Sequence, residues 1–196
     1  MQNKPAIGIL GAGAWGTTIA KLLSDKNSNV LLWAKETQVK KGVEKTRINK
    51  IYLDKIKLNK SLKITNHLED LSELDILFIV VPTQYIQATL KPLKKIIKKN
   101  CILVNCAKGI DIKSTSLISE VINKILPSNK LAIMSGPNFA LEIALGKPTA
   151  SLIAAQKISD AKFIANLISS KTFRPYLSND IIGAQICGAM KNIYAI

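Results

Sequence analysis

Several residue types that mark particular functions are scarce in this sequence of 196 residues. Its three cysteines form no Cys-x-x-Cys pair and His67 is its only histidine, so we expect no metal site and reduced thiols in a cytoplasmic protein. Apolar runs are of strand length, and none reaches the roughly 18 residues that a membrane-spanning helix needs. The first residues lack a charged region followed by a long apolar one, so we expect no signal peptide.

Acidic residues and arginines are also scarce. The formal net charge is +15, which on its own would suit nucleic acid as a partner. Nucleic-acid sites favour arginine forks and stacking aromatic side chains, whereas Arg47 and Arg174 are the only arginines here and aromatic residues make up 5% of the chain. We therefore expect no nucleic-acid partner, although the charge would help to attract a phosphorylated substrate.

Apolar segments of strand length alternate with helical patterns along the whole chain. The predicted strands are Ala6–Leu10, Asn29–Trp33, Leu62–Thr65, Asp75–Val81, Cys101–Asn105, Leu131–Met134, Thr149–Ala155 and Phe173–Leu177. The predicted helices are Ala14–Asp25, Glu36–Thr46, Gln84–Lys99 with a kink at Pro92, Ser114–Leu126, Asn138–Leu145, Ser159–Ser170 and Asp180–Ile196. This alternation predicts an α/β fold built on a mainly parallel, doubly wound sheet.

The last predicted helix is apolar nearly all round, unlike the helices before it. A helix of this kind needs cover on every side, and no later segment of the sequence supplies it. We therefore expect residues 1–178 to form one domain and residues 179–196 to begin a second, truncated helical domain.

A glycine-rich segment follows the first predicted strand, and its residues are Gly11-Ala12-Gly13-Ala14-Trp15-Gly16, a G-x-G-x-x-G pattern. Gly11 permits a tight turn, Gly13 lets the backbone approach a pyrophosphate, and Gly16 lets the helix pack close to the strand. The helix N-terminus then presents free N–H groups and a partial positive charge to the anion. The pattern predicts that residues 1–178 bind a dinucleotide, with a glycine-rich structural turn as the alternative.

The end of the second predicted strand bears on which dinucleotide is bound. A carboxylate about 20 residues beyond the loop would accept a hydrogen bond from the 2′-hydroxyl of NAD. The strand ends instead at Trp33-Ala34-Lys35-Glu36, where Lys35 would attract the 2′-phosphate of NADP. We expect NADP to be preferred or accepted. Glu36 could still serve NAD, and Lys35 could be a solvated lysine with no role.

Three successive strands of the predicted sheet end in polar, tightly turning segments, namely Val80–Gln84, Asn105–Gly109 and Ser135–Ala140. In open α/β sheets, ligands bind at the carboxyl ends of the strands. Lys108 carries the only charge among these segments, which makes it the candidate to hold a substrate phosphate or carbonyl. Taken singly, each segment could equally be an ordinary loop.

Several segments match one known enzyme family in the same order along the chain. They are Gly11–Thr17, Ala107–Ile110, Ser135–Glu142 and Gly188–Asn192, with further similarity at Tyr52-Leu53 and Phe173–Tyr176. In these segments the chain resembles NAD(P)-dependent sn-glycerol-3-phosphate dehydrogenases. The resemblance implies a Rossmann-type fold and the reversible reduction of dihydroxyacetone phosphate to sn-glycerol 3-phosphate, the backbone of glycerophospholipids.

The resemblance also implies roles for individual residues. The cofactor would be contacted by Ala14, Trp15, Lys35 and Ala140, both cofactor and substrate by Lys108, and the substrate by Gly136 and Asn138. Lys191 matches the catalytic lysine of the family. Asn138 departs from the pattern, because the family commonly has the smaller Ser at that position.

The chemistry of ketone reduction suits a lysine at position 191. Hydride addition builds negative charge on the ketone oxygen, which a protonated lysine can stabilise and then protonate, while a neutral lysine is the base in the reverse direction. Burial on an apolar helix would favour the neutral amine of Lys191. The alternative is a lysine whose side chain reaches solvent.

Family members carry a helical second domain that supplies further phosphate-binding residues. The resemblance therefore implies a truncated chain with weak cofactor binding and little turnover by itself, which could act as a homodimer or with a complementing C-terminal fragment. Three alternatives stay open: another hydroxyacid or imine dehydrogenase of similar build, a non-catalytic cofactor-binding fragment or subunit, and a nucleic-acid-binding protein.

Overall fold

The computed structural model describes residues 4–27, 29–191 and 193 as an α/β fold. Twelve strands occur in these ranges: β1 (Ile7–Leu10), β2 (Val30–Trp33), β3 (Ile48–Asn49), β4 (Leu53–Lys57), β5 (Lys63–Thr65), β6 (Ile76–Ile79), β7 (Ile102–Asn105), β8 (Ile110–Asp111), β9 (Ser116–Leu117), β10 (Leu131–Ser135), β11 (Thr149–Ala155) and β12 (Phe173–Ser178). The α-helices in the same ranges are α1 (Ala14–Ser24), α2 (Thr37–Thr46), α3 (Ile86–Leu93), α4 (Ile118–Ile125), α5 (Ala140–Ala144), α6 (Ile158–Ile168) and α7 (Ile181–Met190).

Eight of the strands form one sheet in the order β12-β11-β10-β7-β6-β1-β2-β5. Neighbouring strands are parallel throughout, except that β10 and β11 are antiparallel. The chain winds outward from β1 in both directions, and ligands bind at the carboxyl ends of strands where such a sheet changes direction. The predicted mainly parallel, doubly wound sheet is confirmed.

The sheet is covered on both faces, and its central strands are therefore apolar at every position. Along β6, Ile76 and Phe78 belong to the core beneath α1 and α6, whereas Leu77 and Ile79 belong to the core beneath α3 and α4. All four side chains are fully buried. Because successive side chains of a strand point to opposite faces, this one strand joins the two halves of the hydrophobic core.

A small hairpin of β3 and β4 occupies a segment for which neither a strand nor a helix was expected. In β4 the buried residues are Leu53 and Ile56, three positions apart, so the segment lacks the alternation by which a strand is recognised. Arg47 precedes the hairpin in a left-handed conformation, and its guanidinium donates to the carbonyl of Leu62 at 2.7 Å. The hairpin is thus tied to the edge of the main sheet.

The predicted helix Ser114–Leu126 begins four residues later than expected, at Ile118. The Asp111 carboxylate accepts hydrogen bonds from the backbone N–H of Ser114 at 2.9 Å and from its hydroxyl at 2.7 Å. Thr115 follows with φ of 50°, a left-handed conformation that a helix interior does not use. These local bonds favour the tight hairpin of β8 and β9 over the first helical turn.

The predicted helix Gln84–Lys99 is also shorter in the structure. A 3-10 turn covers Thr83–Tyr85, and α3 ends one residue after Pro92. Proline has no backbone N–H to donate, so it stands in the last turn of α3 and does not form a kink within a longer helix.

The last predicted helix begins with an N-cap at Asp180, whose carboxylate accepts a hydrogen bond from the backbone N–H of Gly183 at 2.8 Å. α7 extends to Met190, and Lys191 follows it directly. The remainder of the predicted helix at Asn192 and 194–196 lies outside the described residues. Over the part of the chain that the structure describes, no helix is long and apolar enough to span a bilayer.

Candidate functional site

A cleft of about 930 Å³ lies at the carboxyl ends of β1, β2, β6 and β7. Its wall contains residues 11–16, which we call the phosphate loop, together with Lys35 from the end of β2 and Lys108 from the end of β7. The structure therefore brings these predicted cofactor residues into one cavity. Residues 80–83, which follow β6, also line the cleft.

Each of the three glycines of the phosphate loop is explained by a different feature of the local geometry. Gly11 has φ of 117°, and a Cβ there would lie 2.8 Å from the carbonyl oxygen of Val80. A Cβ on Gly16 would lie 1.8 Å from the carbonyl oxygen of Gly11, so only glycine lets α1 start this close to β1. A Cβ on Gly13, the N-cap of α1, would meet no protein atom within 4 Å. Backbone N–H groups beside such open space fit a pyrophosphate.

Asn49 in β3 holds the phosphate loop through its side chain, a contact that was not predicted. Its side chain is buried and donates to the carbonyl of Ala12 and to the hydroxyl of Thr17, both at 2.8 Å. The Thr17 hydroxyl also donates to the carbonyl of Ala12 at 3.2 Å. No motif signals this contact, because Asn49 is remote in sequence and stands in a lysine- and asparagine-rich segment.

Two opposite charges line the cleft just beyond β2. Lys35 and Glu36 are both exposed, and the hydroxyl of Tyr52 donates to the Glu36 carboxylate at 3.3 Å. The negative charge of Glu36 raises the pKa of Tyr52, with smaller contributions from desolvation and from this hydrogen bond, so the phenol stays protonated at neutral pH. The adenosine end of a dinucleotide reaches this part of such a fold.

Lys108 is the most strongly constrained of the predicted site lysines. The Thr83 hydroxyl donates to its carbonyl at 2.7 Å, and its ammonium donates to the carbonyl of Gly136. Partial burial lowers the pKa of Lys108, and the positive charge of Lys191 lowers it further. Its amine therefore loses a proton more easily than that of an ordinary surface lysine.

Lys191, from the other end of the chain, does not line this cleft, but its charge acts on Lys108, which does. A Cβ on Gly188 in α7 would lie 2.6 Å from the hydroxyl oxygen of Ser135 and 3.5 Å from Cγ of Lys108, which shows how closely α7 approaches the ends of β7 and β10. Lys191 is exposed, so the prediction that it is buried among apolar residues is wrong. Only one narrow face of α7 is covered, and Lys191 follows the end of the helix.

A buried glutamine fixes α7 in this position. Gln185 donates to the hydroxyl of Ser119 at 2.9 Å and accepts from the backbone N–H of the same residue at 2.9 Å. Ser119 lies in the first turn of α4, so the pair joins α7 to the helix layer beside the cleft. This contact was not predicted either, because Gln185 stands in a segment that otherwise looks uniformly apolar.

The remaining predicted site residues, Gly136, Asn138 and Ala140, follow β10 and are not among the residues that line the cleft. Gly136 has φ of 150° and receives the Lys108 ammonium on its carbonyl. The Asn138 side chain donates to the carbonyl of Ala150 at 3.1 Å and accepts from the hydroxyl of Ser151 at 3.2 Å, so its amide faces β11. The carbonyl of Ala140 accepts from Thr18 at 3.0 Å, which ties α5 to α1.

Comparison with known proteins places the chain in one family. A family model described as NAD-dependent glycerol-3-phosphate dehydrogenase N-terminus matches residues 6–161. A protein named glycerol-3-phosphate dehydrogenase [NAD(P)+] from Hyphomonas neptunium is 37% identical over 195 residues, which cover 100% of this chain and 58% of the relative. Its namesake from Erythrobacter litoralis is 40% identical over 190 residues, covering 97% of this chain and 57% of the relative.

Solved structures give the same result. The crystal structure of glycerol-3-phosphate dehydrogenase from Coxiella burnetii superposes with a TM-score of 0.92 at 32% sequence identity, covering 98% of this chain and 59% of that one. The chain thus spans a little over half the length of the relatives that it matches. The family resemblance inferred from the motifs is confirmed.

Proposed function

Because the chain belongs to the family of NAD-dependent glycerol-3-phosphate dehydrogenase N-terminal regions, we propose that it forms the cofactor-binding part of an enzyme that interconverts dihydroxyacetone phosphate and sn-glycerol 3-phosphate. The observation that carries this proposal is the meeting of the phosphate loop and Lys108 in one cleft, with Lys191 beside Lys108. Membership of this family argues against the alternative of another hydroxyacid or imine dehydrogenase.

The cofactor in this proposal is NAD(P)H. The phosphate loop would hold its pyrophosphate, with Ala14 and Trp15 at the start of α1 packing beside it, and Lys35 would attract a 2′-phosphate. Ala140 is proposed as a further cofactor contact, since Thr18 fixes its carbonyl to the helix that follows the loop. When bound, the nicotinamide supplies or accepts the hydride.

The two lysines of the site would share the remaining chemistry. Reduction of the ketone builds negative charge on its oxygen, and the ammonium group of Lys191 would stabilise that charge and transfer its proton to the oxygen. Lys108, held on the Gly136 carbonyl, would position the phosphorylated substrate with Gly136 and Asn138. In the oxidation direction the neutral amine of Lys191 would take up the hydroxyl proton.

The chain covers 58% of the Hyphomonas neptunium relative, so its activity, substrate and partners are all part of the proposal. Residues 179–196 are proposed to begin a second, helical domain, because Ile182 and Ile186 on α7 expose apolar side chains. The second candidate function, a cofactor-binding fragment or subunit without turnover of its own, is supported by the cleft lining, which contains the phosphate loop and Lys35 but not Gly136, Asn138 or Lys191. A homodimer and a complementing C-terminal fragment are both compatible with it.

The proposed location is the cytoplasm, where thiols stay reduced. Cys101, Cys106 and Cys187 are free cysteines in the structure. The product of the proposed reduction is the backbone of glycerophospholipids, which would place the enzyme in lipid metabolism.

An assay of NADPH oxidation with dihydroxyacetone phosphate tests the proposal on two proteins. The first is the 196-residue chain, and the second is a fusion that adds the remaining C-terminal part of the Hyphomonas neptunium relative. We expect the chain alone to bind NADPH weakly with little turnover, the fusion to turn over substrate, and Lys191→Ala in the fusion to abolish turnover.

Each part of the proposal can fail separately. If neither NADPH nor NADH binds the chain, the cofactor site is wrong. Near-normal kcat in the Lys191→Ala fusion would remove the catalytic assignment, and robust turnover by the chain alone would overturn the view that the site is incomplete.

A further inference from the structure

The turn between β3 and β4 carries Tyr52, whose side chain lines the cofactor cleft. Asn49, which holds the phosphate loop, also accepts a hydrogen bond on its Oδ1 from the backbone N–H of Tyr52 at 3.3 Å. One buried amide thus joins the loop on one side and the turn that carries Tyr52 on the other. The position of Tyr52 relative to the phosphate loop is set by this contact and not by the surface turn alone.

The Tyr52 hydroxyl is engaged with a charge at the adenosine end of the cleft. It donates to the Glu36 carboxylate, and both residues line the cleft together with Lys35. Glu36 has an extended backbone with φ of −85° and ψ of 119°. Within the described residues Lys35 forms no ion pair with Glu36, so the Tyr52 hydroxyl and not the neighbouring ammonium is the partner of this carboxylate.

We propose that Tyr52 is a specificity-determining residue that holds the Glu36 carboxylate beside the cofactor ribose and thereby limits the preference for a 2′-phosphate. This inference rests on the proposed function, since it assigns selectivity within the same cofactor cleft. Lys35 favours the phosphorylated ribose, and the held carboxylate favours the free 2′-hydroxyl. Tyr52 sets the balance between them by acting through Glu36.

The direction of the effect follows from charge. A carboxylate held at the ribose accepts a hydrogen bond from a 2′-hydroxyl and repels a 2′-phosphate. Without the phenol, the exposed Glu36 side chain is free to turn into solvent, so NADH loses an acceptor and NADPH loses a repulsive charge. The ratio of the dissociation constants, Kd for NADPH divided by Kd for NADH, should therefore fall.

Isothermal titration of the purified 196-residue chain with each cofactor tests this inference. Tyr52→Phe removes only the hydroxyl, and we expect it to lower the ratio roughly threefold, as for the loss of one exposed hydrogen bond to a charge. Glu36→Gln removes the charge itself and should lower the ratio about fivefold or more. In the Tyr52→Phe, Glu36→Gln double variant the ratio should equal that of Glu36→Gln alone.

The matched control is Tyr176→Phe on β12, at the opposite edge of the sheet, which should leave both dissociation constants unchanged. If the unaltered chain binds neither cofactor, the proposed function fails. If it binds them and Tyr52→Phe leaves the ratio unchanged, or weakens both cofactors equally, the inference about Tyr52 is wrong while the proposed function stands. If the two substitutions change the ratio of dissociation constants additively in the double variant, Tyr52 does not act through Glu36.

Discussion

The positive charge of Lys191 lowers the pKa of Lys108, although the two residues are supplied by the end of α7 and by the loop after β7. Burial of the Lys108 side chain contributes more to the same shift. One lysine of the pair is thus partly buried and held on the carbonyl of Gly136, while the other is exposed. The proposed reduction of a ketone would gain from this arrangement, because a fixed lysine can orient the substrate while an exposed one can exchange protons with water.

Removing the charge at position 191 should raise the pKa of Lys108 towards its ordinary value. Since only the neutral amine is a nucleophile, a lower pKa makes a lysine react faster at a given pH, so Lys191→Gln should slow acetylation of Lys108 between pH 8 and pH 9. Mass spectrometry of the Lys108 peptide after a brief exposure to acetic anhydride measures the rate. Lys130, which pairs with Asp160 at 2.8 Å, is the internal reference. An unchanged rate at Lys108 would show that the two charges do not interact.

Two glycines of the phosphate loop should respond differently to the same substitution. Gly16→Ala places a Cβ 1.8 Å from the Gly11 carbonyl oxygen, which forces the backbone apart, and should cost about 2–4 kcal/mol of unfolding free energy. Gly13→Ala meets no protein atom within 4 Å, so it should cost at most about 1 kcal/mol, as for a weaker N-cap. Its methyl group nevertheless occupies the space proposed for the pyrophosphate.

Urea denaturation and NADPH titration on both variants separate the two roles. Gly13→Ala should unfold almost like the unaltered chain but lose at least tenfold in NADPH affinity, since the phosphates can no longer approach the backbone. Equal affinity of Gly13→Ala and the unaltered chain would place the pyrophosphate elsewhere.

Local patterns were sufficient to predict the elements around the phosphate loop. β1, α1 and β2 follow from apolar periodicity and from the spacing of the glycines at 11, 13 and 16. Only the constraint on Gly16 is local, at the Gly11 carbonyl, whereas the constraint on Gly11 comes from Val80. The placing of Lys35 and Lys108 in one cleft followed from sheet topology, because parallel strands end at the same edge.

Contacts between distant segments could not be read in the same way. Asn49 lies in a hairpin whose buried residues do not alternate, and from there it contacts Ala12. Nothing in the sequence distinguishes it from a surface asparagine. Hydropathy predicts that the isoleucines of α7 are buried and its polar residues exposed. The structure shows the opposite, because Gln185 is buried against Ser119 while Ile182 and Ile186 are exposed. Only the packing of α7 on β10 and α4 decides which of its faces is covered.

The three cysteines should differ sharply in reactivity. Burial raises the pKa of Cys101 to about 12, with a smaller contribution from Asp75, and burial raises the pKa of Cys106 as well. At pH 8 the Cys101 thiol therefore stays protonated and unreactive. Cys187 is exposed on α7.

Iodoacetamide at pH 8 should label Cys187 first in the native chain and all three cysteines after denaturation, as followed by peptide mass spectrometry. Labelling of Cys101 or Cys106 as fast as Cys187 would contradict the packing described.

Gln185 should control whether α7 stays docked. Gln185→Leu removes the hydrogen bonds to the side chain and backbone of Ser119 and leaves that buried N–H without an acceptor, at a cost of about 1–3 kcal/mol. Hydrogen–deuterium exchange should then show faster exchange along α7 than in the unaltered chain. Ile182→Gln alters a side chain that is 59% exposed on the same helix, and should leave the exchange unchanged.

Undocking α7 should also move Lys191 away from Lys108, because Gly188 no longer packs against Ser135. The acetylation rate of Lys108 in Gln185→Leu should therefore fall towards the rate in Lys191→Gln. Equal α7 exchange in Gln185→Leu and in the unaltered chain would mean that packing of Ala184 on Ile133 and Ala154 alone holds the helix, and that Gln185 has no part in placing the lysine.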